Sequence, residues 1–200
     1  YKVKPGNSKY VDVNKDGVYN DADQGIIGCG QPTFNWGWNN TFNYKNFDFS
    51  FFVVGFHGFD IYNATHQMGY NLIKSQQMAG VTPMRELLNR WTPTNTNTDI
   101  PGFVKGGTEN KDFFSTRFVE NGSFIKMKSI TLGYTLPEAT CRSLGINNLR
   151  VYASVQNPFH ITKYSGLDPE ATMGSPLVQG VDWGAYPNSR NYLIGLNFSF

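Results

Sequence analysis

Five stretches of the chain alternate apolar with small or polar residues at a period of two, the spacing of a strand with one oily and one wet face. In the last, Tyr192, Ile194, Leu196, Phe198 and Phe200 share one side while Gly195, Asn197 and Ser199 share the other. Residues 33–44 set Phe34, Trp36, Trp38, Phe42 and Tyr44 against Asn35, Gly37, Asn39, Thr41 and Asn43. A Lys45-Asn46 turn follows, after which Phe47, Phe49, Phe51 and Val53 alternate with Asp48, Ser50 and Phe52. Further on, Ile130, Leu132, Tyr134 and Leu136 oppose Ser129, Thr131, Gly133 and Thr135, and Leu149, Val151, Ala153 and Val155 oppose Arg150, Tyr152, Ser154 and Gln156. The pattern predicts an all-β chain with strands at about 33–44, 47–56, 124–136, 149–159 and 191–200.

The connections alternate between short and long. Lys45-Asn46 and residues 137–148, with room for one helical turn, are brief; residues 58–122 and 160–190 are long. Barrels of the outer membrane have short periplasmic turns and long extracellular loops, so the alternation assigns sides. With Phe200 at the periplasm, both long loops and the leading segment 1–32 fall outside. Within the first loop, Thr82 as cap, Pro83 at the first turn and Met84, Leu87, Leu88 and Trp91 at helical spacing predict a short amphipathic helix over 82–91.

Composition narrows the choice of solvent. Aromatic residues make up 16% of the chain (Phe 16, Tyr 11, Trp 4), yet mean hydropathy is −0.40. Aromatic groups scattered among Asn, Gly, Ser and Thr fit barrel walls with interfacial girdles better than an aliphatic soluble core. No stretch approaches the roughly 20 apolar residues of a spanning helix. A net charge of +2 gives no argument for a nucleic-acid partner. The first residues show no export signal, so either the protein is not exported or this is an internal or C-terminal piece of a longer precursor.

The sharpest motif is the twelve-residue run that opens at Asp12. Asp12, Asn14, Asp16, Asn20 and Asp23 occupy positions 1, 3, 5, 9 and 12 of a calcium-type loop, Gly17 occupies position 6, and Val18 at position 7 would offer its carbonyl. The chain therefore predicts a structural Ca²⁺ site, with an Asx-rich turn satisfying its own backbone as the alternative. The last ligand is Asp rather than Glu, and Lys9-Tyr10-Val11 reads as extended rather than as an entering helix. Nothing points to an enzyme: His57, His66 and His160 are scattered, no glycine-rich phosphate loop follows a strand, and Ser165 is not in a GxSxG turn. Asp168 and Glu170 flank Pro169 and read as a capped turn. Cys29 and Cys141 lack metal or redox spacing and fall on opposite sides of the expected membrane, so they should not pair.

These residues resemble the C-terminal part of SusC/RagA-type TonB-dependent outer-membrane receptors. The resemblance rests on residues 10–17 (YVDVNKDG), Ile26-Ile27-Gly28, Pro32-Thr33-Phe34, residues 43–52 (NYKNFDFSFF), 58–63 (GFDIYN), 124–134 (FIKMKSITLGY), 149–159 (LRVYASVQNPF) and 166–170 (GLDPE). It implies a 22-stranded antiparallel transmembrane β-barrel in the outer membrane of a Gram-negative bacterium. It also implies a plug and a TonB-contacting segment that lie outside this chain, and a SusD-like surface lipoprotein as lid. Such pairs import glycans or peptides. Five strands cannot close a barrel, so this chain would supply the last wall strands. Phe59, Tyr62, Tyr70, Trp91, Phe103, Trp183 and Tyr186 in the long loops are candidates to stack on a ligand or pack against the lid. The competing reading is a soluble secreted β-sandwich that binds carbohydrate or a cell-surface partner, in which the aromatic faces pack on one another.

Overall fold

The alternation resolves into one antiparallel sheet. The computed structural model describes residues 4–70, 83–102, 114–143, 145–173 and 178–200. Its long strands are β1 (Phe34–Tyr44), β2 (Phe47–His57), β5 (Phe124–Thr135), β6 (Asn148–Gln156) and β9 (Asn191–Ser199), ordered β1-β2-β5-β6-β9. The short elements are β3 (Asp60–Asn63), β4 (Val119–Asn121), β7 (His160–Thr162), β8 (Val181–Asp182), and helices α1 (Ala64–Tyr70) and α2 (Glu138–Ser143). Expected strand ends move by a few residues. The largest change is at 149–159, where pairing breaks after Gln156 and resumes at His160.

Register shows which side chains share a face. Phe42 lies opposite Phe49, Phe49 opposite Leu132, Leu132 opposite Ala153 and Ala153 opposite Ile194. One apolar row thus crosses all five strands, flanked by the rows containing Tyr44, Phe47 and Tyr134 and those containing Trp38 and Tyr192. Asn40, opposite Phe51, is the one polar side chain that β1 places on this face. The face is bare: Phe42 is 53% exposed, Leu132 52% and Ile194 86%. The opposite face carries Asn39, Asp48, Ser50, Thr131, Arg150, Ser154 and Asn197.

A bulge changes the parity of β5. Phe52 pairs with Ser129 while Val53 pairs with Met127, so Lys128 is an extra residue on β5. Ser129 and Lys126, three apart, therefore share the polar face, since Phe52 and Val54 beside them are two apart. The neighbouring strand turns at the same level. Asn157, in the left-handed region at φ 49°, donates its N–H to the Lys128 carbonyl at 2.9 Å, and the Phe159 carbonyl accepts from Met127 at 3.1 Å.

Contacts divide the chain into two units, and the large sheet belongs to residues 29–61, 120–180 and 185–200. Here Phe59, Ile61, Phe124 and Tyr164 form a core against which Phe56 packs. The other unit, residues 1–28, 62–119 and 181–184, has its own core of Tyr62, Ala64 and Phe118, joined by Tyr70, Val119 and Val181. Asn63 starts α1 by accepting the His66 N–H at 2.9 Å. The helix expected at 82–91 is shorter: a 3₁₀ turn covers Arg85–Asn89, with Leu87 buried and Leu88 exposed. Trp91 leaves it because Arg90 is extended and the Trp91 N–H bonds to the Ile100 carbonyl at 2.8 Å. Thr82 lies outside the described residues.

Candidate functional site

The polar face is organised by an ion pair that spans three strands. Arg150 on β6 crosses β5 to reach Asp48 on β2, its Nε at 2.8 Å from Oδ1 and its Nη2 at 2.5 Å from Oδ2. Such a fork matches a carboxylate with two parallel bonds. The crossing requires Gly133 on β5, where a Cβ would collide with both the Asp48 carboxylate and the Arg150 guanidinium. Gly195 does the same for Tyr152, whose ring lies where a Cβ would sit, and the Arg150 guanidinium stands 4.9 Å from the centre of that ring. Small residues on this face thus make room for long polar ones.

A second cluster sits at the far end of the same face. Lys126, 2% exposed, donates to Asp168 Oδ2 at 2.8 Å and to Glu170 Oε2 at 2.7 Å, while Lys128 pairs with Glu170 Oε1. Asn188 adds its N–H to Asp168 at 3.1 Å and its carboxamide to Glu170 at 2.9 Å. Asp168 also accepts the Glu170 N–H at 3.1 Å. Burial alone would raise both carboxyls; the bonds from Lys126, with Asn188 on Asp168 and Lys128 on Glu170, outweigh it and hold both below their ordinary values. Sequence reading treated Asp168 and Glu170 as a capped turn. The missed signal is two lysines, Lys126 and Lys128, set among Phe124, Ile125 and Met127 at the start of β5.

The calcium-type loop folds as a closed turn. Lys15 and Gly17 take positive φ of 62° and 81°. Asp12 accepts the Lys15 and Gly17 N–H groups at 2.6 and 2.8 Å, Asn14 accepts Asp16 at 3.0 Å, and Asp16 accepts Val18 at 2.7 Å. Asn20 caps a 3₁₀ turn (Asp21–Asp23) by accepting Ala22 at 2.7 Å, and its Nδ2 donates to the Val18 carbonyl at 3.3 Å. Asp23, buried, accepts Val13 at 2.8 Å and Asn20 at 2.9 Å. Chiefly the Asn20 N–H holds Asp23 below its ordinary value, against burial and with help from Val13, Asn14 and Asp12. The donor types suit a hard cation, and each oxygen that accepts one amide keeps a second lone pair. Their placement is that of the hydrogen-bonded turn: among the described residues no three His, Cys, Asp or Glu side chains are gathered closely enough to hold a metal ion.

The aromatic candidates divide. Phe59 and Tyr62, expected at a ligand or lid surface, are core residues: alternation sends Phe59 with Ile61 into one core and Tyr62 with Ala64 into the other. Tyr70 is half-buried against Phe118 with the Arg117 guanidinium 5.7 Å from its ring centre. Trp91 is half-buried, its ring filling the space a Cβ on Gly6 or Gly102 would need. Trp183 and Tyr186 are exposed, the latter by 91%. Phe103 lies outside the described residues. Both cysteines are free, Cys29 exposed and Cys141 buried in α2.

The antiparallel sheet presents one bare aromatic face and one polar, ion-paired face, and the comparisons place it among TonB-dependent receptors. The chain is 36% identical over 98% of its length to TonB-dependent receptor P3 of Formosa agariphila, covering 19% of that protein. It is 32% identical over 98% of its length to TonB-dependent receptor SusC of Bacteroides thetaiotaomicron, covering 18% of it. Among solved structures, it matches the RagAB peptide importer in its closed-closed state with a TM-score of 0.74 at 27% identity, over 96% of this chain and 20% of that one. No family model matches. The chain is homologous over nearly its whole length to the SusC/RagA-type TonB-dependent receptors, which are transporters and not enzymes. It spans about a fifth of the length of the relatives it matches.

Proposed function

We propose that these strands are consecutive wall strands of a 22-stranded barrel that imports glycans or peptides across the outer membrane of a Gram-negative bacterium. The observation that carries this is the uncovered apolar row crossing β1, β2, β5, β6 and β9, backed by the ion-paired polar face. Strands of 9 to 12 residues are long enough to cross a bilayer with a tilt of about 45°. Among the described residues β1 pairs only with β2 and β9 only with β6. In lipid those open edges need partners, which the rest of a closed barrel supplies. The aromatic face meets outer-membrane lipid, the polar face lines the lumen, and residues 1–32, 58–122 and 160–190 lie outside the cell. A SusD-like lipoprotein covers that side, with exposed Trp183 and Tyr186 as candidate contacts for it or for the ligand. TonB supplies energy through a part of the receptor beyond this chain.

The test is fractionation of cells making the full-length receptor, with unboiled and boiled detergent gels of the outer membrane. Recovery in that fraction with heat-dependent mobility is the expected result. A soluble receptor would favour the secreted sandwich instead.

The leading segment supplies a structural cation loop in this reading. Asp12, Asn14, Asp16, the Val18 carbonyl, Asn20 and Asp23 would hold Ca²⁺, which supplies positive charge among three carboxylates. Tyr19 and Tyr10, stacked at 4.9 Å, lie beside the loop and serve as reporters. Terbium added to the purified full-length receptor should give saturable tyrosine-sensitised emission that Ca²⁺ displaces and the Asp12→Asn/Asp16→Asn variant lacks. Emission unchanged in that variant would leave the loop a self-satisfied turn.

A further inference from the structure

We propose that residues 164–172, together with Asn188, form a strap folded inward over the polar wall and locked there by Lys126, so that it narrows the channel mouth beside β5. The proposal rests on the reading of the polar face as lumen. Side is decided by register: Lys126 lies opposite Val54, which shares its face with Phe52, Ser50 and Asp48. The strap is tied to β5 from that face at Phe124 and Lys126. Tyr164 packs with Phe124 and Ile61, and Asp168 and Glu170 close on Lys126 and Lys128.

Both ends of the segment are held. Near its start, the Ser165 N–H and hydroxyl each donate to the Glu120 carboxylate at 2.8 Å. Beyond it, Asn188 bonds to both carboxylates of the cluster. A loop resting in open solvent gains little from ion pairs. Burying a lysine to 2% exposure is costly unless carboxylates meet its ammonium, so the cluster specifies one position for the strap. Leu167 and Tyr186 remain exposed, 69% and 91%, on the anchored loop, available to whatever enters.

The experiment uses the full-length receptor in outer membranes, with other reactive cysteines replaced and Ser129→Cys placed on the polar face. Its labelling rate is measured with a small and a bulky water-soluble maleimide. Three backgrounds are compared: wild type, Asp168→Asn/Glu170→Gln, and a receptor in which residues 165–172 are replaced by a Gly-Ser linker. The heat-modifiable gel shift reports that each barrel is folded. Freeing the strap should raise the rate with the bulky reagent about tenfold, in the charge variant and the linker variant alike, and leave the small reagent nearly unaffected. Equal bulky-reagent rates in all three folded barrels would overturn the strap. Labelling by a lipid-partitioning maleimide and not by a water-soluble one would instead place this face in lipid and sink the wall assignment itself. Should the charge variant not fold, the linker variant decides alone.

Discussion

Arginine in place of Leu132 in the full-length receptor should destabilise the barrel by about 1–3 kcal/mol, the depth-dependent penalty for a guanidinium on a lipid-facing wall between the midplane and the periplasmic interface. Leu132 sits at the centre of the apolar row, between Phe49 on β2 and Ala153 on β6, and is half exposed. Asn39→Arg, on the polar face of β1 opposite Phe52, is the matched control and should change stability little, because its side meets water. The readout is the urea midpoint for folding into lipid vesicles, followed by the gel shift. A Leu132→Arg receptor that folds as well as the Asn39→Arg receptor would mean the aromatic face does not meet lipid.

Lys126→Met should be the most damaging single change among the described ion pairs. Its ammonium is the shared partner of Asp168 and Glu170, and removing one member of a buried pair costs about 3–5 kcal/mol because the orphaned charge stays buried. The loss should show as faster hydrogen exchange at the Glu170 and Asn188 amides, both of which donate to Asp168. Exchange at those amides unchanged from wild type would show that the cluster does not hold the loop. The same amides should report pH. Both carboxyls lie below their ordinary values of 3.8 and 4.5 in the folded state. Their contribution is therefore complete above the unfolded values and lost as pH falls through the folded ones. Protection should be level above about pH 5 and decline only below about pH 4.

The long strands were legible because a sheet between two unlike solvents writes its period directly into the chain. Phe42, Phe49, Leu132 and Ile194 could be assigned to one face from alternation alone. Legibility failed where the period was broken or the partner was distant. Residues 149–159 read as one strand although Asn157-Pro158 is a turn signal, because the apolar alternation on either side of it outweighs two residues; the kink sits against the bulge at Lys128 of the neighbouring strand. Phe59 and Tyr62 read as loop aromatics open to a ligand, since sequence pattern does not report what packs on a side chain in a short strand. In the calcium-type loop the residue types were visible, while the division of their oxygens between amides and a cation depends on side-chain placement.

Sequence alone determined the mostly β class, the long strands, their two unlike faces and the resemblance to SusC/RagA-type receptors, because these depend on residue type at a local spacing. Only the tertiary structure decided the strand order, the parity switch at Lys128, and the pairs Arg150–Asp48 and Lys126 with Asp168 and Glu170. Those partners lie 102, 42 and 44 positions apart. No local period connects such positions; the order and register of the folded strands do.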